Sequence, residues 1–173
     1  MAPPPISTDA LQRLERDRFV ALFGGVFEHA PWVAEAAYGA GPFASLEALH
    51  AAMVDAVRRA PRARQLALIR AHPDLAGRAA IAGALTAASA AEQASAGLDQ
   101  CTPAEFKRFR DLNRKYQEKF GFPFIMAVKS RSRQEILAAF EQRLDHSSEA
   151  EFEEALNQIA RIAHLRLAGV IRP

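Results

Sequence analysis

Apolar residues recur at helical spacing along most of the chain, and this pattern predicts an all-α protein. The clearest example follows Thr102, where an aromatic stripe predicts a helix that Gly121 ends. The positions between these apolar residues are mostly basic, as expected for the exposed face of an amphipathic helix. Three such stripes predict the last three helices: Phe106, Phe109, Tyr116 and Phe120; Ile136, Leu137, Phe140 and Leu144; and Phe152, Leu156, Ile159, Ile162 and Val170.

Helix starts are predicted by Ser or Thr followed three residues later by Glu. Such a pair can form a capping box, in which each side chain accepts a hydrogen bond from the backbone of the other residue. In one of the boxes Pro103 stands at the first helical position, which proline favours. Four segments fit the pattern: Ser89-Ala-Ala-Glu92, Thr102-Pro-Ala-Glu105, Ser132-Arg-Gln-Glu135 and Ser148-Glu-Ala-Glu151.

Helices are also predicted in the alanine-rich first part of the chain, because alanine has the highest helix propensity. Their ranges are about 9–22, 32–38, 45–59 and 61–71, and the last should end at His72-Pro73 because the residue before proline disfavours helical geometry. The strand-like run Phe122–Val128 has no partner, so it predicts an extended apolar segment between two helices.

The sequence therefore predicts one all-α domain, a bundle of seven or eight helices over residues 8–169. Residues 1–7 begin with Met-Ala-Pro-Pro-Pro and predict a disordered lead-in. No repeat or shift in composition indicates a domain boundary within the 173 residues.

Composition and charge indicate which classes of binding partner are not expected and which cellular compartment is favoured. The 22 Lys and Arg residues nearly balance the 20 Asp and Glu residues, and basic residues never run longer than two, so a nucleic-acid partner is not expected. No segment approaches the length of a membrane span, and no partner in a membrane is expected. The single cysteine, Cys101, cannot form an intramolecular disulfide, and this favours a cytoplasmic protein.

Familiar catalytic motifs are absent, including glycine-rich phosphate loops, the nucleophile elbow and HExxH. The informative residues are polar side chains where a bundle places apolar ones. His72 follows a helix and precedes Pro73, so its ring has a fixed direction, which suits a general acid or base. The alternative is a histidine that interacts with the end of the helix. Asp74 could orient the ring, or serve as a turn residue.

Glu92 and Arg166 are the other two candidates. Glu92 either belongs to the Ser89 capping box or, beside Gln93 near a helix start, contacts a substrate. On the helical wheel Arg166 lies about 20° from Ile159, within the apolar stripe, whereas Arg161 lies about 160° away. A guanidinium directed at a core needs an anion, either a buried carboxylate or a ligand, unless it snorkels to the surface. The other histidines, at positions 29, 50, 146 and 164, suggest surface or capping roles.

Five motifs taken together resemble the 2-oxo-4-hydroxy-4-carboxy-5-ureidoimidazoline (OHCU) decarboxylase family. The resemblance extends from about residue 8 to residue 169. The motifs occur in the family's order: Phe23-Gly-Gly-Val-Phe-Glu-His29 with Pro31-Trp32, His72-Pro-Asp-Leu-Ala-Gly77, Ser89-Ala-Ala-Glu-Gln93 with Ala96-Gly-Leu98, Lys119-Phe-Gly-Phe-Pro-Phe-Ile125, and Ile162-Ala-His-Leu-Arg-Leu167.

The resemblance implies an enzyme of urate catabolism that converts OHCU to (S)-allantoin and CO2 without a cofactor or metal, as a homodimer. His72, Glu92 and Arg166 match the catalytic positions. Relatives often carry an arginine near the position of Lys129. Lysine keeps the positive charge but lacks the planar guanidinium group that can donate two parallel hydrogen bonds. The positions that match the substrate pocket are Pro73, Ser89, Gln93, Phe122, Phe124 and Ile125.

Two other functions remain open from the sequence. One is a helical relative that binds a ligand without turnover, and the other is a decarboxylase or hydrolase of another small ureide. A scaffold without turnover would gain stability from an apolar residue in place of a core-facing arginine, so the joint presence of His72, Glu92 and Arg166 favours the enzyme.

Overall fold

A computed structural model describes residues 5–77, 80 and 82–172 and confirms the all-α class. Nine α-helices can be given bounds in these residues, one more than the sequence predicted, together with a short 3-10 helix at Leu98–Gln100. The helices are α1 Thr8–Leu11, α2 Arg16–Phe23, α3 Trp32–Tyr38, α4 Leu46–Arg59, α5 Arg62–Arg70, α6 Ala87–Ser95, α7 Pro103–Phe120, α8 Arg133–Arg143 and α9 Ser148–Val170.

The described residues form two compact units, residues 5–68 with 160–172, and residues 69–159. In the first unit, the ring of Phe19 packs against those of Phe23, Tyr38 and Phe43. In the second, the Tyr116 ring packs edge-on against Phe124 and Phe140, which themselves stack with 3.9 Å between centroids. Each unit therefore has its own aromatic core.

Two of the four predicted capping boxes are confirmed. Thr102 begins α7 and Ser132 begins α8, and in both the side chain of the third helical residue, Glu105 or Glu135, accepts from the cap's backbone N–H. Gly121 ends α7 in the left-handed conformation at φ 76°, as its position predicted.

The boxes predicted at Ser89 and Ser148 are wrong because a residue closer to the N-terminus begins each helix. Thr86 precedes α6 and its side chain accepts from the Ser89 backbone N–H at 3.3 Å. Ser147 precedes α9, and its hydroxyl accepts from the Ala150 backbone N–H at 3.2 Å. Ser89 is consequently inside its helix, where its side chain is buried.

The start of the chain also differs from the prediction. The single helix expected over residues 9–22 is two helices, because residues 12–15 leave the helical path between α1 and α2. Ile6–Ser7, expected in a disordered lead-in, form strand β1, which pairs in parallel with strand β2, Ile171–Arg172. Residues 1–4 of that lead-in lie outside the described residues.

Other local predictions are confirmed: α3, α4 and α5 lie where they were expected, and Phe122–Val128 connects α7 and α8 without forming a helix or a strand. None of the helices that the structure describes is long and apolar enough to cross a membrane.

Replacement of the two adjacent serines at the start of α9 separates the structural assignment from the sequence pattern. Ser147→Ala removes the cap of α9 and should lower the free energy of unfolding by about 1 kcal/mol. Ser148→Ala should change it by less than about 0.5 kcal/mol. Urea unfolding followed by circular dichroism measures both, and a larger loss for Ser148→Ala would contradict the assigned cap.

Candidate active site

His72 lies just beyond the C-terminal end of α5, where its backbone N–H donates to the Ile69 carbonyl at 3.2 Å. The residue is only 8% exposed. It lines a cavity of about 310 Å³ together with Arg70, Asp74, Gln117 and Phe122. The ring thus reaches a cavity that also presents a cationic and an acidic side chain, which is a setting suited to proton transfer.

The segment His72–Gly77, which we call the His72 loop, is held by three side-chain amides. Gln93 on α6 contacts it twice: its Oε1 accepts from the Ala76 backbone N–H at 3.0 Å, and its Nε2 donates to the Asp74 carbonyl at 3.3 Å. Asn113 Nδ2 on α7 donates to the Leu75 carbonyl at 2.9 Å, and Gln117 Nε2 donates to Asp74 Oδ1 at 2.8 Å. Side chains from two helices therefore supply the partners that a strand or helix would give this backbone.

The backbone of the His72 loop is tightly constrained at its end. Ala76 has a φ of 49°, in the left-handed region that residues with a side chain rarely adopt. At Gly77, a Cβ atom would lie 2.6 Å from the Cβ of Asp74, so only glycine fits there. A strained backbone conformation is retained only where surrounding contacts hold it in place, and such strain is common at functional sites.

Asp74 faces both the His72 cavity and a second cavity of about 1050 Å³ along α7. Burial raises the pKa of its carboxyl group, and the hydrogen bond from Gln117 partly offsets that rise. The carboxylate is therefore held in one orientation between the two cavities.

The three predicted site residues on α6 have different environments. Ser89 and Gln93 are one turn apart on a buried face, whereas Glu92 is half-buried. Because Thr86 is the N-cap of α6, Glu92 does not form a capping box with Ser89. Capping therefore does not explain why a glutamate stands at this position. Both the oxygen and the nitrogen of the Gln93 side-chain amide contact the His72 loop, so in this structure Gln93 holds the loop as well as being a candidate to bind substrate.

The predicted apolar wall is divided between the cavity and the core. Phe122 lines the His72 cavity, as expected. Phe124 is stacked on Phe140, and the guanidinium of Arg143 lies 4.3 Å from its ring centroid. The Ile125 carbonyl accepts from Arg143 Nη1 at 2.7 Å. Pro73 is half-buried within the loop itself.

Arg143 belongs to a buried ionic cluster that the sequence did not reveal. Glu151, which is 0% exposed, accepts from Arg143 Nη2 at 2.8 Å and from the Tyr116 hydroxyl, and His146 Nδ1 lies 2.8 Å from its other oxygen. Burial raises the pKa of Glu151, but these hydrogen bonds outweigh burial and hold the pKa below its ordinary value. Sequence periodicity offered a signal, because Glu151 shares a helical face with the buried Ala155.

Arg166 points into the core of the first unit, as its wheel position predicted, and Arg161 is exposed. The Arg166 side chain is 9% exposed, and its Nη1 donates to Glu28 Oε2 at 2.9 Å and to the Val26 carbonyl at 3.2 Å. The anion that the sequence argument required is therefore Glu28, which is 2% exposed. Glu28 lies in the loop between α2 and α3, where no periodicity could have indicated it.

Of the remaining polar candidates, Lys129 is exposed in a turn, and His29 is exposed as expected. His50 and His146 instead have polar partners within the fold: His50 Nε2 lies 2.8 Å from the Ala160 carbonyl oxygen, and His146 Nδ1 contacts the buried Glu151. Within residues 5–77, 80 and 82–172, no three His, Cys, Asp or Glu side chains come together as a metal site would require.

Comparison with known proteins gives a consistent result. A family model described as OHCU decarboxylase matches residues 12–168. The 2-oxo-4-hydroxy-4-carboxy-5-ureidoimidazoline decarboxylase of Haloferax volcanii is 48% identical over 94% of this chain and 95% of its own length. The uric acid degradation bifunctional protein of Bacillus sp. strain TB-90 is 40% identical over 94% of this chain and 32% of its own length. A crystal structure of (S)-allantoin synthase has a TM-score of 0.78 at 31% identity, over 96% of this chain and 54% of that one.

The helical fold and these matches define a decarboxylase, an enzyme of the carboxy-lyase class. More particularly, the chain belongs to the OHCU decarboxylase family, which confirms the resemblance that the five motifs indicated.

The buried cluster gives a pH-dependent prediction. Glu151→Gln should lower the free energy of unfolding by about 3–5 kcal/mol at neutral pH, because Arg143 is left without its buried counter-charge. Since the folded-state pKa of Glu151 is depressed, its stabilisation is present above the unfolded value near 4.5 and is lost as pH falls through the folded value. The difference between wild type and variant should therefore shrink below about pH 4.5 in urea unfolding.

Glu118→Gln serves as the matched control, because Glu118 pairs with Arg114 on the exposed face of α7. It should leave stability almost unchanged at every pH. Equal losses for the two variants would contradict the role given to the buried cluster.

Proposed function

We propose that this decarboxylase converts OHCU to (S)-allantoin and CO2 in uric acid degradation, with His72 as the group that transfers protons. The observation that carries the proposal is the burial of His72 against a cavity, at the start of a loop that side-chain amides hold by three hydrogen bonds to its backbone and one to the Asp74 carboxylate. The names and similarity of the relatives support the substrate and the product.

The chemistry of OHCU explains why protein side chains suffice. Its carboxylate is attached to a carbon that bears a hydroxyl group and adjoins a C=N bond. When the bond to CO2 breaks, its electron pair forms a carbon–carbon double bond while the C=N π electrons move to nitrogen, which takes a proton. Loss of the hydroxyl proton and protonation of the neighbouring carbon then give allantoin. The substrate supplies its own electron sink, and the protein has to orient it and transfer protons.

In this proposal His72 accepts the hydroxyl proton and controls proton delivery to one face of the intermediate. Imidazole suits both steps because its ordinary pKa lies near neutrality. A proton delivered to a single face sets the configuration of the product, and this requires a ring in a fixed position. The constraint on the His72 loop supports that requirement.

The roles of the other site residues are proposals as well. Glu92 orients the substrate through hydrogen bonds, and Arg166, kept in place by Glu28, anchors the oxygens of the ring or ureido group. Phe122 supplies an apolar wall at the cavity, which favours loss of CO2 from a poorly solvated carboxylate. The remaining pocket positions of the proposal are Pro73, Ser89, Gln93, Phe124 and Ile125.

The proposal includes four further properties. The family resemblance implies that the enzyme works without a cofactor, that it is a homodimer and that its domain spans residues 8–169. The single cysteine favours the cytoplasm as its location. Light scattering of the purified protein tests the dimer, and activity after exhaustive dialysis against a chelator tests the absence of a metal.

The direct test is an assay that follows the chirality of the product, because OHCU also decays slowly to racemic allantoin. OHCU is generated from urate with uricase and hydroxyisourate hydrolase, and circular dichroism of the allantoin is recorded with each variant. The wild type should give a rapid single-enantiomer signal, and His72→Asn should reduce turnover by about 10²- to 10⁴-fold. His164→Asn is the matched control and should keep wild-type turnover.

A racemic signal at the spontaneous rate with the wild type would reject the proposed reaction and leave a ligand-binding relative or an enzyme of another ureide. Near wild-type turnover by His72→Asn would reject the proton-transfer role alone.

Binding of allantoin tests the role of Arg166. Arg166→Ala should weaken allantoin binding by about 10- to 100-fold in calorimetry, because a charge-assisted hydrogen bond contributes about 1.5–3 kcal/mol. Arg161→Ala, on the exposed face of the same helix, is the control and should bind like the wild type. Equal affinity of Arg166→Ala and wild type would contradict the anchoring role.

A further inference from the structure

Two amides on α7, Asn113 and Gln117, contact the His72 loop and have no place in the site described by the family resemblance. They are one helical turn apart and so lie on the same face of α7. Asn113 Nδ2 donates to the Leu75 carbonyl at 2.9 Å, and Gln117 Nε2 donates to Asp74 Oδ1 at 2.8 Å. Their contacts fall two and three residues after His72.

Asn113 occupies a position where the helix would otherwise place an apolar residue. It lies between the buried Phe109 and Tyr116 on the apolar stripe of α7 and is itself only 6% exposed. Its Nδ2 holds the loop, but its Oδ1 has no hydrogen-bond partner among the described residues. The unpaired Oδ1 is destabilising and offsets the stabilisation that the bond to the Leu75 carbonyl contributes, so the net gain in stability from this asparagine is small. Stability alone therefore does not account for an asparagine at this position.

Gln117 differs from Asn113 because its side chain is exposed and its contribution to stability is small. Its hydrogen bond nevertheless fixes the carboxylate of Asp74 at the edge of the cavity that His72 lines. Gln117 lines this cavity as well. Any effect of Gln117 on catalysis through this bond passes through Asp74 and the loop backbone.

We propose that Asn113 and Gln117 are positioning residues: Asn113 fixes the Leu75 backbone and Gln117 fixes the Asp74 carboxylate, and together they set the direction of the His72 ring during proton transfer. This inference rests on the proposed function of His72. Gln93 completes the arrangement from α6, and the left-handed Ala76 is held between its partners as a result. Neither residue on α7 is required to touch the substrate.

Gln117→Leu is the cleaner test, because it removes the donor from an exposed position. The variant should keep the wild-type unfolding curve and KM while kcat falls by about 10- to 100-fold, as small displacements of a catalytic group do. The enantiomeric excess of the allantoin, corrected for spontaneous decay, should also fall. Gln142→Leu, an exposed glutamine on α8, is the matched control and should leave kcat and enantiomeric excess unchanged.

A double-mutant cycle shows whether Gln117 acts through Asp74. In an Asp74→Ala background, Gln117→Leu should have no further effect on kcat, because the bond that it removes is already absent. If the two substitutions instead reduce kcat by factors that multiply, the proposed action of Gln117 through Asp74 is overturned. Wild-type kcat in Gln117→Leu would overturn the positioning role of Gln117.

Asn113→Leu examines the buried amide. The unfolding midpoint should fall only modestly, because the Leu75 carbonyl loses its donor while the unpaired Oδ1 is removed. In addition, kcat should fall at least about tenfold, and the Ala76 amide should exchange hydrogen faster than in the wild type. A lower midpoint with unchanged kcat would show a structural role alone and overturn the proposal for Asn113. If the wild type itself does not turn over OHCU, the proposed function fails, whereas an active wild type with unaffected variants rejects only the positioning role.

Discussion

The structure depends on pairing the polar groups of two non-helical segments that run beside helices. Buried N–H and C=O groups need partners, and in the part of the chain that the structure describes no strand lies beside the His72 loop or Phe122–Val128 to supply them. Side chains do so instead. Gln93 and Asn113 pair with the loop, and Arg143 and Gln158 pair with the Ile125 carbonyl and the Ala127 N–H of the second segment.

This requirement links the helices to the site. Each amide or guanidinium is on a helix that buried apolar residues hold in place, so the packing of that helix fixes where the polar group can reach. Asn113 is held by its neighbours on α7, and Arg143 by the stack of Phe124 on Phe140. The same arrangement places Phe122 and His72 at one cavity, because the two segments carry these residues at their starts. A substitution that changes the packing of α7 would therefore alter the cavity at His72 even where the substituted residue does not line that cavity.

The sequence predicted well what depends on neighbouring residues. The caps at Thr102 and Ser132, the end of α7 at Gly121 and the core-facing direction of Arg166 all follow from spacing of a few residues. The prediction from sequence failed where two residues could each serve as the N-cap of the same helix. Ser147 and Ser148 both fit a helix start, and only the folded structure shows that the Ser147 hydroxyl caps α9 while the Glu151 carboxylate joins the buried ionic cluster.

What remained hidden depends on contacts between residues far apart in the chain. Asn113 and Gln117 pair with a loop that is about 40 residues away in sequence, and Glu28 pairs with Arg166 at a still longer separation. The imidazole of His72 was recognisable because proline follows it directly. The residues that hold its loop have ordinary identities, and only the folded arrangement distinguishes them from surface or core amides.

The small parallel pair of strands has a separate consequence for engineering. Ile6 is paired with Ile171 and Ser7 with Arg172, so the two ends of the described chain lie side by side. A short linker between them would yield a circularly permuted enzyme, with new termini opened in an exposed turn such as the one at Lys129. The order in which helices leave the ribosome would then change while the final contacts stay the same, which makes this fold a suitable subject for asking whether synthesis order matters to folding.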